Sequence, residues 1–461
     1  MKPQYYLLCV FFFLGPYVQS QTTTFEYGKV IDSVNVKGAN ETFALYLPKR
    51  YDPNVRASVI YIFDPMARGR LGVELFVPSA EKYNYILICS NHTRNFREDN
   101  FDIINRLFDT VFNMFPIDER LVYTAGFSGG SRLAASVAVL TNQIEGVIGC
   151  GAGFSPIPAQ TPNPSNNFSY VGFVGALDMN YHEMYNAQTY LNKINLQNEL
   201  FTNGDRHRWP SPDQLVKGIG FLELQAYKKG RKPVDNNIVS ELYELWYKDG
   251  HVLEKNGNLV KAVEVYSKLK RNFARYYKLD SIAEKIQWLR SRKEFKKEEK
   301  LIAGIQEEED RVKKKFFDRL KRELNMSPPP IKFKWWEKEF PKFREKYAES
   351  EELVLQELGA RVENMVFAAA VETAQIELGG RNMKKVFYCH RLLATIQPDA
   401  AYPQFLLAKD YSFMNNKEKM LEHLYLAKEK GWKERKYIEN DEAFLPWKND
   451  ADFNEFLNGL Q

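Results

Sequence analysis

Hydrophobic and polar positions divide this chain into two regimes. Up to about residue 203, short apolar runs fall at 29–36, 42–48, 57–63, 84–90, 120–125, 144–151, 168–177 and 198–203. Helix-like stretches separate them from the third run onward. Continuous apolar runs of strand length alternating with helices predict a mostly parallel sheet with helices on both faces. The first links, Gly38-Ala39-Asn40 and Asp52-Pro53-Asn54, read as turns, so that edge of the sheet is expected to be antiparallel. Phe154 to Asn167, rich in Pro, Ser and Asn, follows the sixth run and is expected to be a loop that lines or covers a pocket.

Lys228-Lys229-Gly230-Arg231-Lys232-Pro233 ends the first regime. Beyond it, Lys, Glu, Leu and aromatic residues recur at helical spacing, with almost no strand signal. Trp246, Gly250, Leu253, Ala262, Tyr266 and Leu269 occupy the packing positions of a two-helix repeat, with Asn256-Gly257-Asn258 as its turn. A second copy of the pattern sets Ala374, Val386 and Leu393 against Ala408, Met420 and Ala427, with turns at Gly379-Gly380 and Asn415-Asn416 and Pro398 between them. This half resembles a degenerate tetratricopeptide array. Ser281 to Met326 is charged and amphipathic: Ile282, Ile286 and Leu289 mark one face, and Val312, Phe316, Leu320 and Leu324 a later one. Gly304 is expected to break it into two helices. Glu307-Glu308-Glu309 and Lys313-Lys314-Lys315 read as a solvated face, and Trp335-Trp336 as packing between domains.

The chemistry centres on Gly126-Phe127-Ser128-Gly129-Gly130, between the strand-like Leu121–Ala125 and a helix-forming run from Ser131 to Leu140. Glycines on both sides let strand and helix approach closely around a sharp turn. The turn exposes the serine hydroxyl and puts the Gly129 amide at a helix N-terminus, where an oxyanion can bind. A serine nucleophile needs a base, and the base an orienting carboxylate, in the chain order Ser, Asp or Glu, His. Of six histidines only His182 and His207 follow Ser128 within the first regime. His182 lies too near the strand-end acid Asp178 to turn back on the serine, so His207 is the expected base. Read singly, Asp178 is a helix cap and His207 a solvated loop residue. Their order after Ser128 favours a triad, with Asp205 and Glu183 as the other carboxylates available.

On these residues the span from about 27 to 228 resembles the secreted α/β-hydrolases of the polyhydroxybutyrate depolymerase, feruloyl esterase and acetyl xylan esterase group. The elbow Ala125–Gly130, the strand end Gly175-Ala176-Leu177-Asp178 and His207-Arg208-Trp209-Pro210, similar to that group's H-x-W-P, carry the likeness. It implies an α/β-hydrolase fold and the roles of nucleophile, acid and base for Ser128, Asp178 and His207. Where the group has a His-Gly pair after the third strand, this chain has Asp64-Pro65. Proline has no N–H, so the second oxyanion donor falls to Met66 or Ala67, with Arg68 or Arg70 needed to neutralise Asp64. Arg206 also stands where the group favours glycine. Asp64, Phe127 and Trp209 are expected around the substrate pocket. The implied substrate is an ester, polysaccharide-linked or polyester, and no cofactor is expected.

The remaining composition narrows the class. With 64 basic and 59 acidic residues among 461, the charge is too balanced to suggest nucleic acid. Residues 1–20, basic at Lys2, apolar through Leu14 and small at Ser20, read as a signal peptide, so the protein is expected to be exported. No other run approaches transmembrane length, and no His or Cys spacing suggests a metal. In the hydrolase fold Cys89 and Cys150 fall on strands separated by two others, too far for a disulfide. The expected division is 21–230 hydrolase, 231–350 a helical region with one repeat and long charged helices, and 351–461 further repeats. A contrasting reading is an interaction protein that binds a protein partner through the repeats, its hydrolase fold reduced to a scaffold.

Overall fold

A computed structural model describes residues 25–460; the expected signal segment 1–20 lies outside them. The described residues form one eight-stranded sheet: β1 Val30–Asn35, β2 Thr42–Tyr46, β3 Ala57–Phe63, β4 Tyr85–Ser90, β5 Ile117–Phe127, β6 Gly146–Cys150, β7 Ser169–Gly175 and β8 Asn198–Asn203. Their order across the sheet is β1-β2-β4-β3-β5-β6-β7-β8. β1–β2 and β2–β4 are antiparallel and every other pairing is parallel. Every residue of β3, β4 and β7 is buried, because helices cover both faces, and that is why the runs lack alternation.

The helices threading the sheet are α1 Gly69–Tyr83, α2 Asn100–Met114, α3 Gly129–Thr141, α4 Tyr181–Lys193 and α5 Pro212–Lys228. α2, α3 and α4 share a core on one face, through residues such as Leu107, Ala134 and Leu191. α1 and α5 pack on the other, through Phe76 and Ile219 among others. The sheet and its helices make an α/β-hydrolase fold. Ser211 starts α5 with a capping box: its side chain accepts from the Gln214 amide while the Gln214 side chain accepts from Ser211 N–H.

An all-α region follows: α6 Asn236–Lys255, α7 Leu259–Phe273, α8 Asp280–Ser291, α9 Lys293–Leu324, α10 Lys334–Phe343, α11 Leu353–Gly379, α12 Met383–Ile396, α13 Ala401–Phe413, α14 Lys417–Glu429, α15 Arg435–Glu439 and α16 Ala451–Asn458. α6 and α7 form a helix hairpin around Gly257, whose φ of +77° needs glycine. Trp246 on α6 packs against Phe201 of β8, so this hairpin continues the hydrolase core. α11–α12 and α13–α14 make two further hairpins, turning through left-handed Arg381 and Asn415. The six small and apolar positions repeated between them are all buried.

Two sequence expectations in this half fail. Gly304 lies inside the unbroken α9, and the break comes at Arg292, whose ψ of 143° is extended. A glycine in a helix interior costs only about 1 kcal/mol, and the packing of Val312, Phe316 and Leu320 offsets it. The acidic and basic runs are also not simply a solvated face, because Glu309 is fully buried. Trp335 and Trp336 pack within the helical region, Trp336 donating to Glu323 at 2.8 Å.

Candidate active site

The elbow forms where β5 meets α3. Ser128 has φ 53° and ψ −121°, a conformation uncommon for a residue with a Cβ and characteristic of strained functional turns. Its flanking glycines are sterically required. A Cβ on Gly126 would lie 2.0 Å from the Gly130 carbonyl oxygen, and one on Gly130 the same distance from that of Phe63. Ser128 N–H donates to the Cys150 carbonyl at 2.8 Å, fixing the turn to the end of β6.

Three side chains from separate loops meet there. His207 Nε2 is 3.0 Å from Ser128 Oγ. His207 Nδ1 is 2.9 Å from Asp178 Oδ2 and 3.0 Å from Oδ1. Asp178 is almost wholly buried, and its Oδ1 also accepts the Asn180 amide at 2.8 Å. The other carboxylates are engaged elsewhere: Glu183 accepts from Arg132 and from Gly153 N–H, and Asp205 pairs with Arg208. Gly151, with φ +67°, sits against the pair, and a Cβ there would press on Phe127 at 2.8 Å and crowd His207 at 3.2 Å.

The expected second oxyanion donors are corrected by the turn after β3. Met66 N–H donates to Asp64 Oδ1 at 2.9 Å and Ala67 N–H to the Asp64 carbonyl at 3.1 Å. An aspartate opening a turn draws the next amides onto itself, so neither faces the serine as a free donor. The Gly129 amide opens α3 and has no intrahelical partner. Asn95, which sequence reasoning missed, lies beside it: a Cβ on Gly129 would be 1.9 Å from Asn95 Oδ1 and 3.1 Å from Nδ2. Asn95 N–H donates to the Pro65 carbonyl at 3.0 Å, tying the two loops together. Only the adjacency of two polar loops, invisible along the chain, could have revealed it.

Arg68 neutralises Asp64 through two bonds, Nε to Oδ1 at 2.9 Å and Nη2 to Oδ2 at 2.8 Å. Arg70 turns away to Asp32 and Glu74. Burial alone would raise the Asp64 carboxyl, but hydrogen bonds from Arg68, Trp209 and the Met66 amide outweigh it and hold the group below its ordinary range. Trp209 Nε1 reaches Asp64 Oδ2 at 2.9 Å, and its ring lies against Phe127. Asp64 and Trp209 are therefore buried supports and do not line the cavity over the serine, whereas Phe127 does. That cavity is about 850 Å³, and Arg94 and Arg206 contribute to its wall.

The roof of the cavity is α11, contributing Asn364, Phe367 and Val371, where the sequence suggested the 154–167 loop. Ser155 and Gln160 of that loop border a smaller adjoining cavity. The all-α region also grips the turn that carries Asp178. Arg361 donates to the Ala176 carbonyl at 2.6 Å, Asn364 to that of Leu177 at 3.1 Å and Lys313 to that of Met179 at 3.3 Å. Behind them, Glu309 accepts from Arg361 Nε at 2.8 Å and meets His182 Nε2 at 3.0 Å, with Lys313 2.7 Å from its other oxygen. Burial would raise the Glu309 carboxyl, but His182, Arg361 and Lys313 prevail and pull it down to about 2. His182 is thus a partner of α9.

Among the described residues no cluster of metal-ligating side chains occurs, and no helix is long and apolar enough to cross a membrane. Cys89, Cys150 and Cys389 are buried free thiols. No family model matches the chain, and no curated relative matches it. Solved structures similar to part of it include S-formylglutathione hydrolase from Staphylococcus aureus, at 13% identity and TM-score 0.32 over 39% of this chain and 87% of that one. The hyperthermophilic esterase from Pyrobaculum calidifontis matches at 13% and 0.35 over 45% and 87%. Esterase 2 from Thermogutta terrifontis, phosphonylated by sarin, matches at 15% and 0.34 over 45% and 96%.

Proposed function

We propose that this chain is an exported serine hydrolase that cleaves carboxylic esters through an acyl-enzyme. The observation that carries the reading is the hydrogen-bonded series Ser128 Oγ, His207, Asp178 at 3.0 and 2.9 Å, mounted on a strained strand-to-helix elbow. His207 Nε2 takes the Ser128 proton as Oγ attacks the ester carbonyl. Asp178 holds the imidazole by its Nδ1–H and stabilises the imidazolium. The tetrahedral oxyanion is met by Gly129 N–H and, as second donor, the Nδ2–H of the neighbouring Asn95. His207 then returns the proton to the leaving alkoxide oxygen, and the alcohol departs. Water, deprotonated by the same nitrogen, attacks the acyl-enzyme; the acid leaves and Ser128 recovers its proton.

Export rests on the basic-then-apolar pattern of residues 1–20. The closed set of buried bonds around Asp64 and Asp178 supports catalysis over a scaffold role, because a binding surface needs none of them. A stopped-flow trace with p-nitrophenyl acetate tests the reading. The parent should release a burst of nitrophenol stoichiometric with enzyme, and Ser128→Ala should release none. Equal steady turnover by both would overturn it.

A further inference from the structure

α11 presents one continuous stripe to two cavities. Asn364, Phe367, Val371 and Gln375 border the cavity over Ser128. Val371, Ala374, Gln375 and Leu378 border a second cavity of about 510 Å³, enclosed by α11, α12, α13 and the turn at 440–442. Val371 and Gln375 border both, so the cavities adjoin along the helix. Positions 364, 367, 371, 375 and 378 recur three or four apart, which places them on one face. At 1.5 Å rise per residue the stripe runs ~21 Å, far beyond the reach of a short ester.

The lining indicates what would lie there. Phe367, Val371, Leu378, Leu406 and Phe413 supply apolar surface, with Leu378 52% and Phe413 57% exposed. The polar groups of the second cavity are largely engaged with each other: Lys409 pairs with Asp441 at 2.8 Å and His390 Nδ1 lies 2.7 Å from Asp410, leaving Glu442 exposed to solvent. An ionic ligand would find little to hold it, whereas an uncharged, flexible chain would bury itself and cover the exposed apolar side chains.

We infer that the second cavity is a remote subsite of the Ser128 centre and takes the distal part of a long apolar acyl chain whose ester carbonyl lies at the serine. The inference rests on the hydrolase reading and adds a substrate class to it. Substrate recognition is then shared between the two halves of the chain: the hydrolase half breaks the bond and α11 measures the acyl group.

The test is kcat/KM for p-nitrophenyl acetate, butyrate, laurate and palmitate, with the parent, Leu378→Glu and Phe413→Glu. Both substituted side chains are exposed, and thermal melts check that the variants fold. Each methylene buried should raise kcat/KM by up to about fourfold, so palmitate should exceed laurate on the order of tenfold or more in the parent. In either variant that ratio should fall toward one. Hydrolysis of all four esters at equal kcat/KM would overturn the subsite and leave the serine chemistry standing, which is also the result if the groove instead holds a protein partner. A palmitate preference that survives both substitutions would put the chain elsewhere and overturn the subsite too. Failure of the parent to hydrolyse any ester or to react with a fluorophosphonate would remove the hydrolase reading beneath it.

Discussion

Replacing Arg361 by methionine keeps an unbranched apolar stem and removes the guanidinium with its charge. Arg361 is 3% exposed and Glu309 fully buried, so water cannot take over either role. Breaking a buried ion pair by removing one partner costs about 3–5 kcal/mol. His182 and Lys313 stay with Glu309, which puts the expectation at the lower end, about 3 kcal/mol. The Ala176 carbonyl also loses its charged donor, a contact of about 1.5–3 kcal/mol that overlaps with the first and does not add to it. Stability alone does not show positioning, so the double variant Arg361→Met with Glu309→Met is decisive. An apolar pair of similar volume removes the uncompensated Glu309 charge and should recover part of the stability, while Lys313 and His182 lose their carboxylate and the Ala176 carbonyl remains without its donor. Urea titration and ester hydrolysis are then read on the same samples. The expected result is a double variant more stable than the single one, with kcat still reduced and KM little changed. A double variant with parental kcat, or a single variant within about 0.5 kcal/mol of the parent, the range of an ordinary surface change, would refute the idea that this contact holds the Asp178 turn for catalysis.

Other consequences can be measured directly. Asp178→Asn preserves shape but favours the wrong imidazole tautomer, and kcat should fall on the order of 10⁴-fold, the size seen when an acid of this type is so changed. Asn95→Ala should lower kcat by roughly 10²–10³ with little change in KM, as for loss of one oxyanion donor; an unchanged kcat would remove Asn95 from that role. Glu309 falls from an ordinary 4.5 to about 2 on folding. Its contribution to stability is therefore fully present above pH 4.5 and is lost as pH falls through 2. Acid titration of Glu309→Gln should show a shallower loss of stability in that window than the parent, and an identical acid limb would contradict the assignment.

The sheet was legible because its strands are buried on both faces, and continuous runs such as Ser58–Phe63 and Tyr85–Ser90 leave few alternatives. Ser128, Asp178 and His207 could be named because the elbow, a strand-end acid and a loop histidine follow in the order that the chemistry requires. What lay hidden was everything set by contact between distant segments. Arg361 meets Ala176 across 185 positions, and nothing in Glu307-Glu308-Glu309 distinguishes the buried third glutamate from the two before it. The turn after β3 misled for a related reason. Pro65 correctly excluded one donor, but the Met66 amide is taken by an Asp64 rotamer that sequence does not specify, and the Ala67 amide by a backbone turn onto the Asp64 carbonyl. Gly304 misled because the packing along α9 outweighs one residue's helix propensity.

The central claim is that Ser128 is an activated nucleophile. Incubating the purified protein and Ser128→Ala with a fluorophosphonate, followed by peptide mass mapping, tests it most directly. The account predicts one adduct on the parent, located at Ser128, and none on the variant, with both proteins melting alike. A folded parent that stays unlabelled, or a variant that labels equally, would contradict it.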